Sequence, residues 1–331
     1  MSLNLVNDNL SYRITVSDSS LTLPSYAKIN WGLRIIGKRP DGFHEINTTL
    51  QTVSLHDDLM FTLRDDDELV LQCDVASIPT DATNLIIRAA AALNNRAKVR
   101  LGADISLTKR IPAKGGLGGA SSNAALTLLA LNQLWQLDLD GSELNRIARE
   151  LGSDVPFFLI GGSAQGSGTG TEISALPDVT KVYLIIITPN AEVSTAAAYA
   201  ALNAPSLTTQ RSVSILSSSF AEPGFSDCDP SALNNDFEGV IFEIEPEIRR
   251  AKLALLESGA QGGLLAGSGS SVFGIFANVG ERERALAALK CEQGWRVFSC
   301  ETISRNEYSK SLIHLGSRYL RSLNFQTDTG A

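Results

Sequence analysis

The chain has 331 residues, 44% of them hydrophobic, and a formal net charge of −8. That is enough apolar material for two buried cores, and the balance is too acidic for a protein that tracks a nucleic-acid backbone, which usually carries a basic excess. It leaves small anionic ligands open, because the stretch from Ile105 to Leu137 holds Lys109, Arg110 and Lys114 and no acid.

Residues 1–20 are polar and form an N-terminal extension. From Leu21 the pattern becomes short strands with turn punctuation. Tyr26 to Leu33 alternates, with Lys28, Asn30 and Gly32 on one face and Ala27, Ile29 and Trp31 on the other. The polar face is either an anion-holding patch or the solvated side of an edge strand. Arg39-Pro40-Asp41-Gly42 has turn chemistry. Leu59–Leu63 and Leu69–Cys73 flank the acid run Asp65–Glu68, which predicts a hairpin with a charged tip. Helix chemistry follows over Asn84–Asn94, with Thr83 or Asn84 as the cap, and then a strand over Asp104–Lys109.

The central motif is Pro112-Ala-Lys-Gly-Gly-Leu-Gly-Gly-Ala-Ser-Ser-Asn123. Its glycines let the backbone turn sharply and approach a ligand. Ser121 and Ser122 open an apolar helix running to Leu137, and a helix N-terminus favours phosphate. The spacing fits neither G-x-x-x-x-G-K-[ST] nor G-x-G-x-x-G. Glycines placed for packing alone are the competing reading. A further helix is expected over Ser142–Leu151, a Gly/Ser/Thr-rich loop over Gly161–Thr171, and a buried strand over Val182–Thr188, near which the organisation restarts.

In Gly152-Ser-Asp-Val-Pro156, Asp154 suits a helix cap and a general base equally. The second half carries helices at Thr195–Asn203, Glu247–Ser258 and Glu281–Glu292, and strands at Ser271–Ala277 and Trp295–Thr302. Gly262 to Ser271 is a second glycine-rich run. Strands and helices that do not strictly alternate predict an α+β fold. An amphipathic stretch, Leu312–Leu323, precedes a polar end.

The four cysteines (Cys73, Cys228, Cys291, Cys300) form no C-x-x-C pair, and the three histidines (His44, His56, His314) are scattered. A reduced cytoplasmic protein is expected, without a disulfide frame or a protein metal site. No basic region followed by an apolar stretch marks a signal peptide. The longest strongly apolar strand-like run, Val182 to Ile187, falls far short of the ~20 residues a membrane helix needs.

Pro112–Ala124 resembles the G-L-G-G-x-S-S-N-A motif of the GHMP kinases. Ala266-Gly-Ser-Gly-Ser-Ser-Val-Phe273 resembles their C-terminal glycine motif, and Ala27–Asn30 their first motif. Arg39–Glu45, Asn84-Leu85, Gly152–Pro156, Val193–Thr195 with Tyr199, and Asn235–Glu238 are similar to the branch that phosphorylates a cytidylyl methylerythritol. The resemblance runs from about Leu21 to Ile303.

It implies a two-domain GHMP-kinase-like α+β fold with the active site in the inter-domain cleft. The N-terminal ATP-binding domain would span 21–180 and the C-terminal domain 181–310, with a tail at 311–331. It also implies ATP as phosphoryl donor, Mg2+, a small-molecule alcohol as acceptor, neither nucleic acid nor membrane as partner, and a monomer or homodimer.

By position, Asp154 matches the family's catalytic aspartate and Lys28 its partner lysine. Asn84, Leu85 and Lys109 match adenine-pocket residues. Pro112, Gly115, Gly116, Leu117, Gly118, Gly119, Ser121 and Ser122 match the phosphate loop, with Ser121 or Ser122 beside magnesium. Asn30, Thr195, Gly267 and Gly269 fall on the acceptor side. His44 would hydrogen-bond cytosine between Phe43, where the family often has Tyr, and Tyr199. The resemblance leaves the direction of Lys114 open.

Overall fold

Strand β1 (Ser20–Lys38) pairs antiparallel with β2 (His44–Leu63) through the predicted turn, in which Gly42 takes a left-handed φ of 88°. Arg39 fixes that turn by pairing with Asp41 and Glu45. The computed structural model describes residues 20–97, 100–202, 233–290, 292–312 and 315. The expected extension at 1–20 and tail at 311–331 lie almost wholly outside these residues, as do Cys228, Cys291 and His314.

The first sheet continues with β3 (Leu69–Cys73), β4 (Ala103–Thr108), β5 (Ser163–Ser167), β6 (Glu172–Ala175) and the short β8 (Asn234–Asn235). Its order is β3-β4-β2-β1-β8, with β5 on β2 and β6 on β5. The hairpin predicted across Asp65–Glu68 does not form. β4 lies between β2 and β3, antiparallel to the first and parallel to the second. Arg64 explains the difference, since it bonds both Asp66 in the acid run and Asp104 on the inserted strand. The Gly161–Thr171 stretch, read as a loop, contains β5. Its small residues allow close pairing, and a Cβ at Gly166 would stand 2.9 Å from the Thr48 methyl.

Helices α1 (Leu85–Asn94), α2 (Gly119–Leu134) and α3 (Gly141–Leu151) pack with the first sheet into one core. Asn84 caps α1 through Ile86 N–H, and Asp140 with Glu143 forms a capping box on α3. The second sheet is antiparallel in the order β11-β7-β10-β9, from β7 (Tyr183–Pro189), β9 (Gly262–Leu265), β10 (Val272–Phe276) and β11 (Trp295–Glu301). Helices α4 (Thr195–Ala201), α5 (Glu238–Ile244), α6 (Pro246–Glu257) and α7 (Val279–Leu289) contribute to its core.

β1 serves both halves because its pairing with β2 slips between Tyr26 and Ala27. Before the slip, Leu21 and Leu23 enter the first core. After it, Ala27, Ile29 and Trp31 join Leu184, Ile186 and Phe273 in an apolar layer between the sheets. Trp31 meets Phe273 edge-on at 5.6 Å. Each large side chain buried there is worth about 1.5–3 kcal/mol, so the layer fixes the two walls of the cleft above it.

A last helix, α8 (Arg305–Ser311), departs from the sequence-based boundary. The second unit was expected to run to residue 310. Instead Ile303, Tyr308, Leu312 and Leu315 are buried in the first core.

Candidate active site

Lys28 and Asn30 project from β1 on the face opposite the inter-sheet layer, as the alternation predicts. Both are buried, at 3% and 1% exposure, which removes the solvated-edge alternative. A buried ammonium needs partners. Lys28 Nζ donates to Asn30 Oδ1 at 2.8 Å and lies 3.6 Å from the Asp154 carboxylate. Asn30 is fixed in turn: Oδ1 also accepts from Gly267 N–H at 3.1 Å, and Nδ2 donates to Thr48 Oγ1 at 2.8 Å. Asp154 occupies a turn closed by Val155 N–H to Gly152 O, and a second turn, closed by Phe158 N–H to Val155 O, follows it directly. The 3₁₀ turn that follows, Phe157–Leu159, begins after Pro156 with no side-chain cap. The carboxylate is therefore a cleft group paired with Lys28 and not a helix cap.

The two glycine-rich runs interlock over this pair. Ser271 N–H donates to Gly115 O, and Lys28 N–H donates to Leu117 O. A Cβ on Gly116 would stand 2.0 Å from Ala266 O, and one on Gly118 2.9 Å from Lys28 Cγ. Gly267 passes 3.3 Å from Lys28 Nζ by the same measure. Asn235 holds the second run by donating to Leu265 O and Gly267 O. Gly269, further along it, has a φ of 91°. The glycines thus serve loop-on-loop packing as well as backbone approach to a ligand. Gly118 is the left-handed cap residue of α2, and no side chain caps that helix. The N–H groups of its first turn are left for an anion.

Several expected contributors are turned elsewhere. Ser122 is fully buried, and its hydroxyl accepts from Ser25 Oγ inside the first core at 2.8 Å. It therefore faces away from the loop, while Ser121, half-buried near Gly152, stays at the cleft. Lys109 is pinned by Asp57 at 2.9 Å and by the Ile111 carbonyl, and burial lowers its pKa. Arg110 pairs with Asp58 and Lys114 with Glu192, each at 2.7 Å. The basic window is thus matched by acids. Asn84 spends its amide on α1 and on Pro79 O; Leu85 beside it is partly buried against the first core.

The expected Phe43–Tyr199 sandwich is also revised. His44 itself stacks on Tyr199, at 4.4 Å and 21° between planes, while Phe43 is 65% exposed on the turn. The turn carries Phe43 outward, whereas His44 begins β2 and faces α4. Burial, then the charge of Lys38, lowers the His44 pKa, so the ring is neutral at pH 7. Tyr199 is pushed up to about 12 by burial and then by the negative charge of Asp154, which puts phenol and carboxylate in one electrostatic neighbourhood. Thr195 on α4 meets Ser268 in the second glycine run at 3.0 Å.

Sequence reasoning missed two polar anchors. Thr48 joins Asn30 to the Gly32 carbonyl. Asp57 is wholly buried and accepts from Arg110 N–H, Ile111 N–H, Asn123 Nδ2 and Lys109 Nζ, which ties the entry of the glycine loop to α2. The available signal was an acid inside the series Val53, Asp57, Leu59, Phe61, all inward-facing on β2. Among the described residues no cluster of three or more His, Cys, Asp or Glu side chains could hold a metal ion, and no helix is long and apolar enough to cross a membrane.

Comparison with known proteins agrees with this geometry. Family models match residues 84–162 (GHMP kinases N terminal domain) and 225–294 (GHMP kinases C terminal). A 4-diphosphocytidyl-2-C-methyl-D-erythritol kinase from Prosthecochloris aestuarii is 40% identical over 82% of this chain and 94% of its own. One from Syntrophus aciditrophicus is 39% identical over 86% and 99%. A crystal structure of 4-(cytidine 5'-diphospho)-2C-methyl-D-erythritol kinase superposes with a TM-score of 0.68 at 31% identity, covering 85% of this chain and 99% of that one. Homoserine kinase from Cytophaga hutchinsonii, at 21% identity over 89% of this chain and 98% of its own and a TM-score of 0.63, shares the fold. The chain belongs to the 4-diphosphocytidyl-2-C-methyl-D-erythritol kinase family of the GHMP kinases.

Proposed function

We infer that this chain transfers the γ-phosphoryl group of ATP to the 2-hydroxyl of 4-diphosphocytidyl-2-C-methyl-D-erythritol, a step of non-mevalonate isoprenoid precursor synthesis. The observation that carries the chemistry is the Lys28–Asp154 pair at 3.6 Å under the interlocked glycine runs. A non-catalytic nucleotide module has no use for that convergence. The acceptor oxygen forms a bond to the γ-phosphorus as the bond to the β-phosphate oxygen breaks, and ADP leaves with that electron pair. Asp154 takes the hydroxyl proton. Lys28, paired with the carboxylate, faces the developing charge, while Asn30 orients the acceptor. Such transfers depend mainly on positioning and charge stabilisation.

Magnesium suits this donor set. It takes oxygen ligands, usually one or two from protein together with phosphate and water, and Ser121, half-buried beside Gly152 at the start of α2, is the side chain that would hold it here. When bound, the ion neutralises phosphate charge.

The neutral His44 ring against Tyr199 favours a flat, hydrogen-bonding base on the acceptor over homoserine or mevalonate. A coupled assay of ADP release with the cytidylyl alcohol, homoserine and mevalonate tests this. Turnover only with homoserine or mevalonate would reject the reading. His44→Ala should raise KM for the cytidylyl substrate roughly tenfold or more and leave KM for ATP unchanged, the size of a lost buried hydrogen bond. An unchanged substrate KM removes His44 from base recognition.

A further inference from the structure

Behind the Asp154 turn stands a buried phenol that the phosphoryl-transfer reading does not use. Tyr308, on α8, is 1% exposed, and its hydroxyl donates to the Phe158 carbonyl at 2.5 Å. Phe158 closes the turn that follows the Asp154 turn and shares Val155 with it, through its N–H to Val155 O. The tip of its ring packs against Gly118, where a Cβ would stand 2.8 Å from Phe158 Cζ and 2.9 Å from Lys28 Cγ. One residue therefore adjoins the aspartate turn and packs on the glycine loop at the point where the lysine stem also approaches it, and Tyr308 holds its backbone.

The seat of Tyr308 is built for close contact. Gly161 has a left-handed φ of 63°, and a Cβ there would stand 2.4 Å from the Tyr308 ring. Gly162, with φ 68°, approaches Arg305 at the start of α8 in the same way, at 2.7 Å. The other side of the ring meets Tyr26, two residues before Lys28 on β1, at 5.7 Å and 50°. Burial raises the Tyr308 pKa, so the phenol keeps its proton and remains a donor across the working pH range.

We propose that Tyr308 is a positioning residue for phosphoryl transfer: its hydrogen bond to the Phe158 carbonyl locks the Gly152–Phe158 turn so that Asp154 stays in register with Lys28. This rests on the catalytic reading of Lys28 and Asp154. It also gives a function to α8 lying on the first core. Geometry of this kind matters because a misplacement of about 1 Å can cost about 10² in rate, and a loosened turn moves the carboxylate by a fraction of that.

Tyr308→Phe keeps the ring and removes the hydroxyl. In the full chain, with ATP and the cytidylyl alcohol, kcat should fall about tenfold with both KM values within about twofold. Leu312→Ala opens a cavity in the same core without touching the hydroxyl. It should lower the melting temperature more than Tyr308→Phe does and leave kcat within about twofold at a temperature where the protein is folded. The inference is overturned if Tyr308→Phe keeps kcat within about twofold of the parent, or if Leu312→Ala loses as much kcat as Tyr308→Phe. Asp154→Asn in the same series separates the two ideas. If it keeps kcat within about tenfold of the parent, the catalytic reading itself fails; if it loses about 10²–10⁴ while Tyr308→Phe is normal, only the positioning role fails.

Discussion

Asp154→Asn lowers kcat by about 10²–10⁴ and leaves ATP affinity within about twofold. The rate term is that of losing a general base. Asparagine matches aspartate in shape, so the turn from Gly152 to Phe158 and its backbone hydrogen bonds survive. On the proposed reading the nucleotide sits elsewhere, on the uncapped first-turn N–H groups of α2 and the backbone of the glycine loop. Binding and chemistry should therefore separate, which single-turnover kinetics beside equilibrium titration with ATP would read. A fall in ATP affinity as large as the fall in kcat would mean that Asp154 acts through the nucleotide and not through the acceptor hydroxyl. Lys28 is a poorer probe. It is buried and also holds Asn30, so truncating it leaves a cavity and an unpaired amide as well as a missing charge.

Local chemistry wrote much of this site into the sequence. The Pro-Asp-Gly turn, the capping Asn84 and the alternation that sets Lys28 and Asn30 on one face each depend on neighbours within a few residues, and each appears as expected. What failed was non-local. The Asp65–Glu68 run looked like a hairpin tip until Asp104, about forty positions away, proved to be a partner of Arg64 and β4 took the place between the strands. Lys109 matched an adenine-pocket position and the direction of Lys114 stayed open because their counter-ions, Asp57 and Glu192, lie far off in sequence. Ser122 was misdirected by a helical turn: one position after the cleft-side Ser121, it faces Ser25 in the core. The motif identifies the loop, but the fold decides which side chains in it face the ligand.

That division makes Asp57 the more consequential residue for stability. Its carboxylate is wholly buried, and it is the counter-ion of a lysine whose side chain is only 8% exposed. Removing one partner of such a pair leaves an uncompensated buried charge, at a cost of about 3–5 kcal/mol. Asp57→Ala also strands the Arg110 and Ile111 N–H groups and the Asn123 amide, so the loss should sit at the upper end of that range. Urea unfolding followed by circular dichroism measures it, and the entry of the glycine loop should loosen first. Asp57→Ala with Lys109→Met removes the orphaned charge as well. If the charge dominates, the double variant regains a substantial part of the loss; if the backbone hydrogen bonds dominate, it regains almost none. The coupling energy of that double-mutant cycle therefore separates the two contributions. A loss below about 1 kcal/mol for Asp57→Ala alone, the scale of an exposed ion pair, would show that Asp57 does not anchor the loop.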